Sequence, residues 1–367
     1  MNNHMIDSKQ LFCMMVLFEL GSALLFGLGA DAKQDAWLAV LLGMIAGILL
    51  FLVYSSLYHF SGSKTLIFLL KAVFGRHMGW ILGWIYVVYF IYFSSRVLRD
   101  FVDLLRLAAY DKTTFLTLAI GMVLCVMYAS YKGIEVFARF SLITFFLVMV
   151  SLAGIIILQF LSGNVQLQNL QPVLEDGIMP VLKASFPTLA AIPYGELIVF
   201  LMLFPYVQQS SKIRKTGIKS IYIGGGTLVL FSIINLSILG ADVYSRSSFP
   251  LLTSVGLINI ADFVQRIESI LIFLMVLLGF VKVFLLAYGA ILGTSELFQI
   301  RKIALIYPIT FLILISSVII SNNSSEHIKE GFTLAPIYFH LPMTVFIPSI
   351  LLLAAWIKKK KTPALFK

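Results

Sequence analysis

Of 367 residues, 60% are hydrophobic and 12% charged, against roughly half and a quarter in a soluble globular domain. Apolar runs of about 20 residues, long enough to cross a bilayer as helix, recur along the whole length, so the chain is an all-α polytopic membrane protein rather than a soluble enzyme. The net charge of +10 does not point to nucleic acid, because the basic residues sit in short connections and the tail, the pattern that orients a membrane protein.

The hydropathy pattern predicts ten transmembrane helices, over residues 10–30, 36–58, 79–105, 114–130, 138–161, 184–207, 217–241, 266–298, 303–321 and 341–357, forming one transmembrane domain over residues 1–367. The longest connections, 162–183, 242–265 and 322–340, are too short for a soluble catalytic domain. The first apolar segment lacks the short h-region and cleavage site of a signal peptide and reads as a retained span. Cys13 and Cys125 both fall in apolar segments, so no disulfide framework is expected.

Orientation follows from Lys and Arg. One side carries seventeen: Lys9, Lys64, Lys71, Arg76, Lys132, Arg139, Lys212, Arg214, Lys215, Lys219, Arg301, Lys302, Lys358 to Lys361 and Lys367. The other carries seven: Lys33, Arg106, Lys112, Lys183, Arg246, Arg266 and Lys329. The richer side is cytoplasmic, which puts both termini inside, as an even number of spans requires. Arg96, Arg99 and Lys282 belong to neither side, and ionisable groups inside spans are where function is expected.

In span 1, "FELGSALLFGLGAD" sets Glu19 near mid-depth, followed by Gly21, Ser22 and Ala23. Such small residues leave backbone free to face a ligand, or simply let helices pack closely. In span 3, "SSRVLRDFVDLLR" repeats charge at helical spacing: Arg96, Asp100 and Asp103, with Arg99 and Arg106 beside them. This stripe predicts intrahelical ion pairs closing a wet vestibule; the alternative is that Arg96 attracts an anionic or zwitterionic ligand. In span 6, "AAIPYGELIVF" places a breaker and a carboxylate, Pro193 and Glu196, between apolar flanks, and five of eleven prolines lie between 172 and 205. Proline removes a backbone donor and clashes with the preceding turn, and broken backbone in hydrocarbon is tolerated only when buried in protein or lining a cavity. Matched interruptions in spans 1 and 6, the first spans of two five-span halves, indicate a central binding site. A kinked helix with a structurally paired Glu is the competing explanation.

Lys282 in span 8 is 16 residues after Arg266 and 19 before Arg301, too deep to snorkel easily. An unpaired charge there costs roughly 2.5–3.5 kcal/mol on insertion scales, so it needs a carboxylate or carbonyls; Glu19 and Glu196 are the carboxylates at similar depth. By analogy with inverted-repeat transporters, the ammonium could take the place of a coupling sodium, holding spans 1 and 8 together through span 1 carbonyls or Glu19, or it could be a fixed packing pair. The run "GGG" at 224–226 predicts close packing of span 7, and Tyr86, Tyr89 and Tyr92 are expected against neighbours or the interface. His59, His77 and His340 lie near predicted span ends without metal-ligand spacing. No metal, cofactor or catalytic motif is found, with no Walker loop, HExxH or GxSxG.

At "FELGSALLFGLGADAKQDAWLAVLLG" the chain resembles the B subunits of bacterial spore germinant receptors, the spore germination permease family, within the amino acid–polyamine–organocation transporter superfamily. "SSRVL", "LQPVLEDG", "SFPTLAAIPYGELIVFLMLFPYV" and "RIESILIF" extend the resemblance over nearly the whole chain. The resemblance implies two inverted five-helix repeats, about 10–161 and 184–357, with broken helices 1 and 6. It implies a small nutrient ligand, usually an amino acid, held by Gly21, Ser22, Ala23 and Leu24 and by Ile192, Pro193, Tyr194, Gly195 and Glu196. It further implies an A-type membrane subunit and a C-type lipoprotein as partners, in the spore inner membrane. Many relatives carry a Gly-Ala-Gly type stretch and then a proline in span 1, which this chain lacks. A proton- or sodium-coupled amino-acid transporter needs the same pocket and stands as the competing function; a membrane enzyme has no motif in its favour.

Overall fold

The computed structural model describes residues 6–258 and 267–361. Arg266, Lys367 and the side chains of Lys359, Lys360 and Lys361, counted above toward orientation, lie outside the described residues. Within them the chain is helical throughout, with no strand, and nine segments are long and apolar enough to cross a membrane.

The tenth predicted span, the first in the chain, is α1 (Ser8–Ala23), only 16 residues long. At about 1.5 Å per residue this falls short of the ~30 Å hydrocarbon core. The helix ends early because its backbone leaves helical geometry at Gly21 (φ −22°, ψ −110°), and the chain returns through a left-handed Gly29 (φ 71°) into α2 (Ala36–Phe60). Then come α3 (Leu66–Phe74), α4 (Arg76–Ala108), α5 (Phe115–Lys132) and α6 (Ile134–Leu161). The sixth span opens with α7 (Ile178–Ala184) and continues irregularly to Met202. It is followed by α8 (Ile213–Arg246), the short α9 (Pro250–Gly256), α10 (Ile267–Phe298) and α11 (Lys302–Ile319).

The last span departs from expectation. Residues 322–340, expected as a connection, contain α12 (Ser324–Ala335), capped by the Asn323 side chain accepting from the Glu326 N–H (2.8 Å). The helix runs on through widened turns at Pro336–His340 and Pro342–Phe346 into α13 (Ile347–Lys361). Hydropathy missed α12 because half its residues are polar; it is amphipathic and lays one face on the bundle.

Burial sorts the helices into a centre and a rim. The apolar stretch of the sixth span is 78% buried, that of α10 67% and of α4 61%, against 28% for α5 and for α6. Ile143, Phe146 and Val150 stay exposed along α6, as lipid-facing positions should. Close approach of the central helices depends on missing side chains: a Cβ at Gly279 of α10 would sit 2.4 Å from the Phe101 ring of α4. Ile6, just ahead of α1, is tied to the end of the sixth span, where its N–H donates to Tyr206 O (3.1 Å) and the Gln208 N–H donates to Ile6 O (3.0 Å).

Gly279→Leu should destabilise the detergent-solubilised protein by about 1–3 kcal/mol through overpacking. Gly121→Ala on α5, where an added Cβ meets nothing within 4 Å, should leave thermal unfolding unchanged. Equal melting curves for the two variants would remove α4–α10 packing as the centre of the fold.

Candidate functional site

The sixth span breaks twice, at Phe186 (φ −128°, ψ 131°) and Ile192 (φ −126°, ψ 123°). Each directly precedes a proline, Pro187 and Pro193, whose ring disfavours the helical region for the residue before it. After the second break the chain resumes as a narrow helix, Gly195–Met202, carrying fully buried Glu196 in its first turn. The break is braced from both sides: the Tyr54 hydroxyl of α2 lies 2.8 Å from Gly195 O and 2.6 Å from Thr344 O, bridging it to the last span.

Lys282 joins the two interrupted spans. Its Nζ lies 2.5 Å from Glu196 Oε2 and donates to Ser22 Oγ at 2.8 Å, with no exposure of either charged side chain. The rings of Phe18 and Phe93 stand 5.2 and 5.3 Å from the ammonium, within cation–π range. Gly21 is where the lysine stem passes: a Cβ there would lie 2.6 Å from Lys282 Cδ. Of the two carboxylates the sequence offered as partners, the ammonium therefore contacts Glu196 and not Glu19. The reason is helical rotation, which turns Glu19 toward α8, where Oε1 accepts from the Ser220 hydroxyl (3.3 Å) and Oε2 faces Gly224. The Gly224–Gly225 pair makes room there: an added Cβ would meet Glu19 Oε2 at 2.4 Å and the Tyr194 hydroxyl at 2.8 Å.

Above the pair is a cavity of about 40 Å³, room for one or a few waters. Its walls include Ser22, Ala23, Phe26, Phe93, Arg96, Asp100, Ile192 and Glu196, and α12 roofs it with His327, Ile328, Gly331 and Phe332. Four of the nine pocket residues expected from sequence thus line it: Ser22, Ala23, Ile192 and Glu196. Gly21, Leu24, Pro193, Tyr194 and Gly195 do not; they shape the breaks or face other helices. Glu196 Oε1 has no hydrogen-bond partner among the described residues.

The charged stripe of α4 divides. Arg99 and Asp103 form the expected intrahelical pair (3.6 Å). Arg96 and Asp100 instead reach α12: Arg96 donates to His327 O (2.6 Å) and lies 3.8 Å from Glu330, and Asp100 bonds His327 Nε2 (2.8 Å). Intrahelical pairing thus holds for Arg99 and Asp103, while Arg96 and Asp100 turn to α12, which packs directly over this stripe. A wider vestibule of about 210 Å³ shares Phe26, Ile328 and Phe332 with the inner cavity. Phe26 and Phe332 meet edge-on at 5.4 Å and form the partition.

Sequence reasoning missed His327, His340 and the roof. His340 does not sit at a span end: it is buried, lines the cavity and bonds the Tyr89 hydroxyl through Nδ1 (2.8 Å). The available signal was the i, i+1, i+4, i+5 spacing of His327, Ile328, Gly331 and Phe332, one face of a helix. Among the described residues no group of three His, Cys, Asp or Glu side chains is placed to hold a metal ion.

Lys282→Met strands Glu196 in an apolar setting and should cost about 3–5 kcal/mol. Adding Glu196→Gln should recover most of that loss in thermal unfolding, whereas adding Glu19→Gln should not. Rescue by the Glu19 change alone would reverse the assignment of the pair.

Comparison with known proteins identifies relatives of the whole chain. A family model described as "Spore germination protein" matches residues 5–326. The chain is 36% identical over 357 residues to Spore germination protein KB of Bacillus subtilis (strain 168), covering 97% of this chain and 96% of that protein. It is 24% identical to Spore germination protein YndE of the same organism over 89% of each chain. It is 18% identical to Spore germination protein GerQB of Bacillus cereus over 93% of this chain and 94% of the other.

Proposed function

The chain belongs to the spore germination protein family, and on that premise we propose that it is the nutrient-sensing subunit of a spore germinant receptor. In this reading it binds a small nutrient of the amino-acid class between its interrupted first and sixth spans. It acts in the spore inner membrane with an A-type membrane subunit and a C-type lipoprotein, both of its termini cytoplasmic. The architecture that goes with this is two inverted five-span repeats, about 10–161 and 184–357. The observation that carries the reading is the meeting of both breaks at Lys282 and Glu196, directly below a cavity roofed by α12.

The chemistry of the walls suits a zwitterion. Glu196 Oε2 is engaged by Lys282, leaving Oε1 free to accept from a ligand ammonium. Arg96 is the guanidinium on the cavity wall and is suited to a carboxylate. Phe26, Phe93 and Ile192 supply apolar surface for a side chain. At about 40 Å³ the cavity is too small for an amino acid, so binding requires α12 to lift, giving up the His327–Asp100 and Arg96–Glu330 contacts. That displacement is what the partner subunits would sense.

Ala23→Leu adds bulk to the cavity wall without changing charge. Spores carrying it should lose or strongly shift their nutrient dose–response while the protein remains at wild-type abundance in the membrane. An unaltered dose–response would refute the pocket. Separately, the purified protein reconstituted alone in vesicles should bind labelled amino acid without accumulating it inside; net uptake would establish a transporter instead.

A further inference from the structure

At the lysine-rich end of the bundle, α1, α6 and α8 enclose a groove of about 730 Å³ that the nutrient site does not use. Lys212, Lys215, Thr216 and Lys219 recur at i, i+3, i+4 and i+7, so the cap of α8 and one face of its first two turns present three ammonium groups to it. Lys9 of α1 adds a fourth. All four lysines are exposed, and none has an ion pair among the described residues. No Asp or Glu lines the groove. Some other basic groups assigned to this side do have protein partners: Arg139 pairs with Glu135, Lys302 reaches the Tyr206 hydroxyl (2.5 Å) and Lys358 the Ala72 carbonyl (2.8 Å).

The floor of the groove is apolar. Phe12 and Phe145 meet edge-on at 5.5 Å, and Phe145 leads to Phe146, which is 66% exposed on the lipid-facing side of α6. Ser8 also lines the groove, and its hydroxyl oxygen is buried without a hydrogen-bond partner among the described residues. Phosphate oxygens would pair with the exposed, unpaired ammonium groups. The opening of the apolar floor onto the lipid face gives an acyl chain a path that a free anion would leave unfilled.

We propose that this groove is a binding site for an anionic phospholipid, its phosphate among Lys9, Lys212, Lys215 and Lys219 and an acyl chain along Phe12 and Phe145. Basic pockets between membrane helices recognise anionic headgroups in this way. Such a lipid would tie α1, which carries the break at Gly21, to α8, against which Glu19 packs.

The test is native mass spectrometry of the full-length, delipidated protein titrated with phosphatidylglycerol or phosphatidylcholine. Phosphatidylglycerol should bind preferentially, and Lys212→Gln, Lys215→Gln and Lys219→Gln should each weaken it about fivefold. Leu142→Trp, which fills the apolar part without changing charge, should weaken it as well. Paired Lys132→Gln and Arg139→Gln, on the same side but outside the groove, should have no effect. Equal binding of both lipids, or indifference to the α8 lysines, would overturn the proposal and leave those lysines a topological role only. Competition by glycerol phosphate at concentrations equal to the lipid, or full binding by Leu142→Trp, would overturn the lipid in favour of a free phosphate ligand.

Discussion

A buried ammonium–carboxylate pair is the constraint around which this protein is arranged. Removing two charges from water costs several kcal/mol per ion even after relaxation, and the loss is offset only when geometry and further contacts are good. Lys282 meets that condition with Glu196 at 2.5 Å, the Ser22 hydroxyl at 2.8 Å and the faces of Phe18 and Phe93. These groups come from four separate spans, so the pair can form only if α1, α4, the sixth span and α10 assemble. Both interruptions serve it: the missing side chain at Gly21 leaves room for the lysine stem, and the break at Ile192 precedes the turn that carries Glu196.

Broken helices inside hydrocarbon leave polar backbone groups that must be satisfied locally. Tyr54 answers part of this by lying within hydrogen-bond distance of both Gly195 O and Thr344 O. The same bond ties the sixth span to the last one, whose earlier part is the α12 roof. The α12 roof and the break in the sixth span are therefore connected through a few short contacts. In the proposed receptor, that connection is the route by which a small ligand alters a surface that other subunits can read.

The rim serves a different purpose from the centre. The largely exposed apolar faces of α5 and α6 meet lipid, where apolar surface is no liability and small changes in packing matter little. What distinguishes one stretch of that rim is unpaired positive charge beside an apolar groove. It lies against α1 and α8, the helix that carries Glu19 and the helix that Glu19 packs on.

Much of this was legible in the chain itself. Composition and run length determine a polytopic helical protein, because in hydrocarbon only hydrogen-bonded helices or closed barrels can span. X–Pro steps at Phe186 and Ile192 locate the breaks, because the restriction is local and steric. The depth of Lys282 demands a partner, because an isolated charge is too costly there. Which partner it takes was not legible: Glu19 and Glu196 lie at similar depth in sequence, and only the rotation of α1 against α8 and α10 decides between them. Nor were α12 and the burial of His327 and His340 readable from hydropathy, since a half-polar segment hides its apolar face until something packs on it. The small cavity likewise exists only as a residue of how several helices meet, and no local pattern encodes a volume.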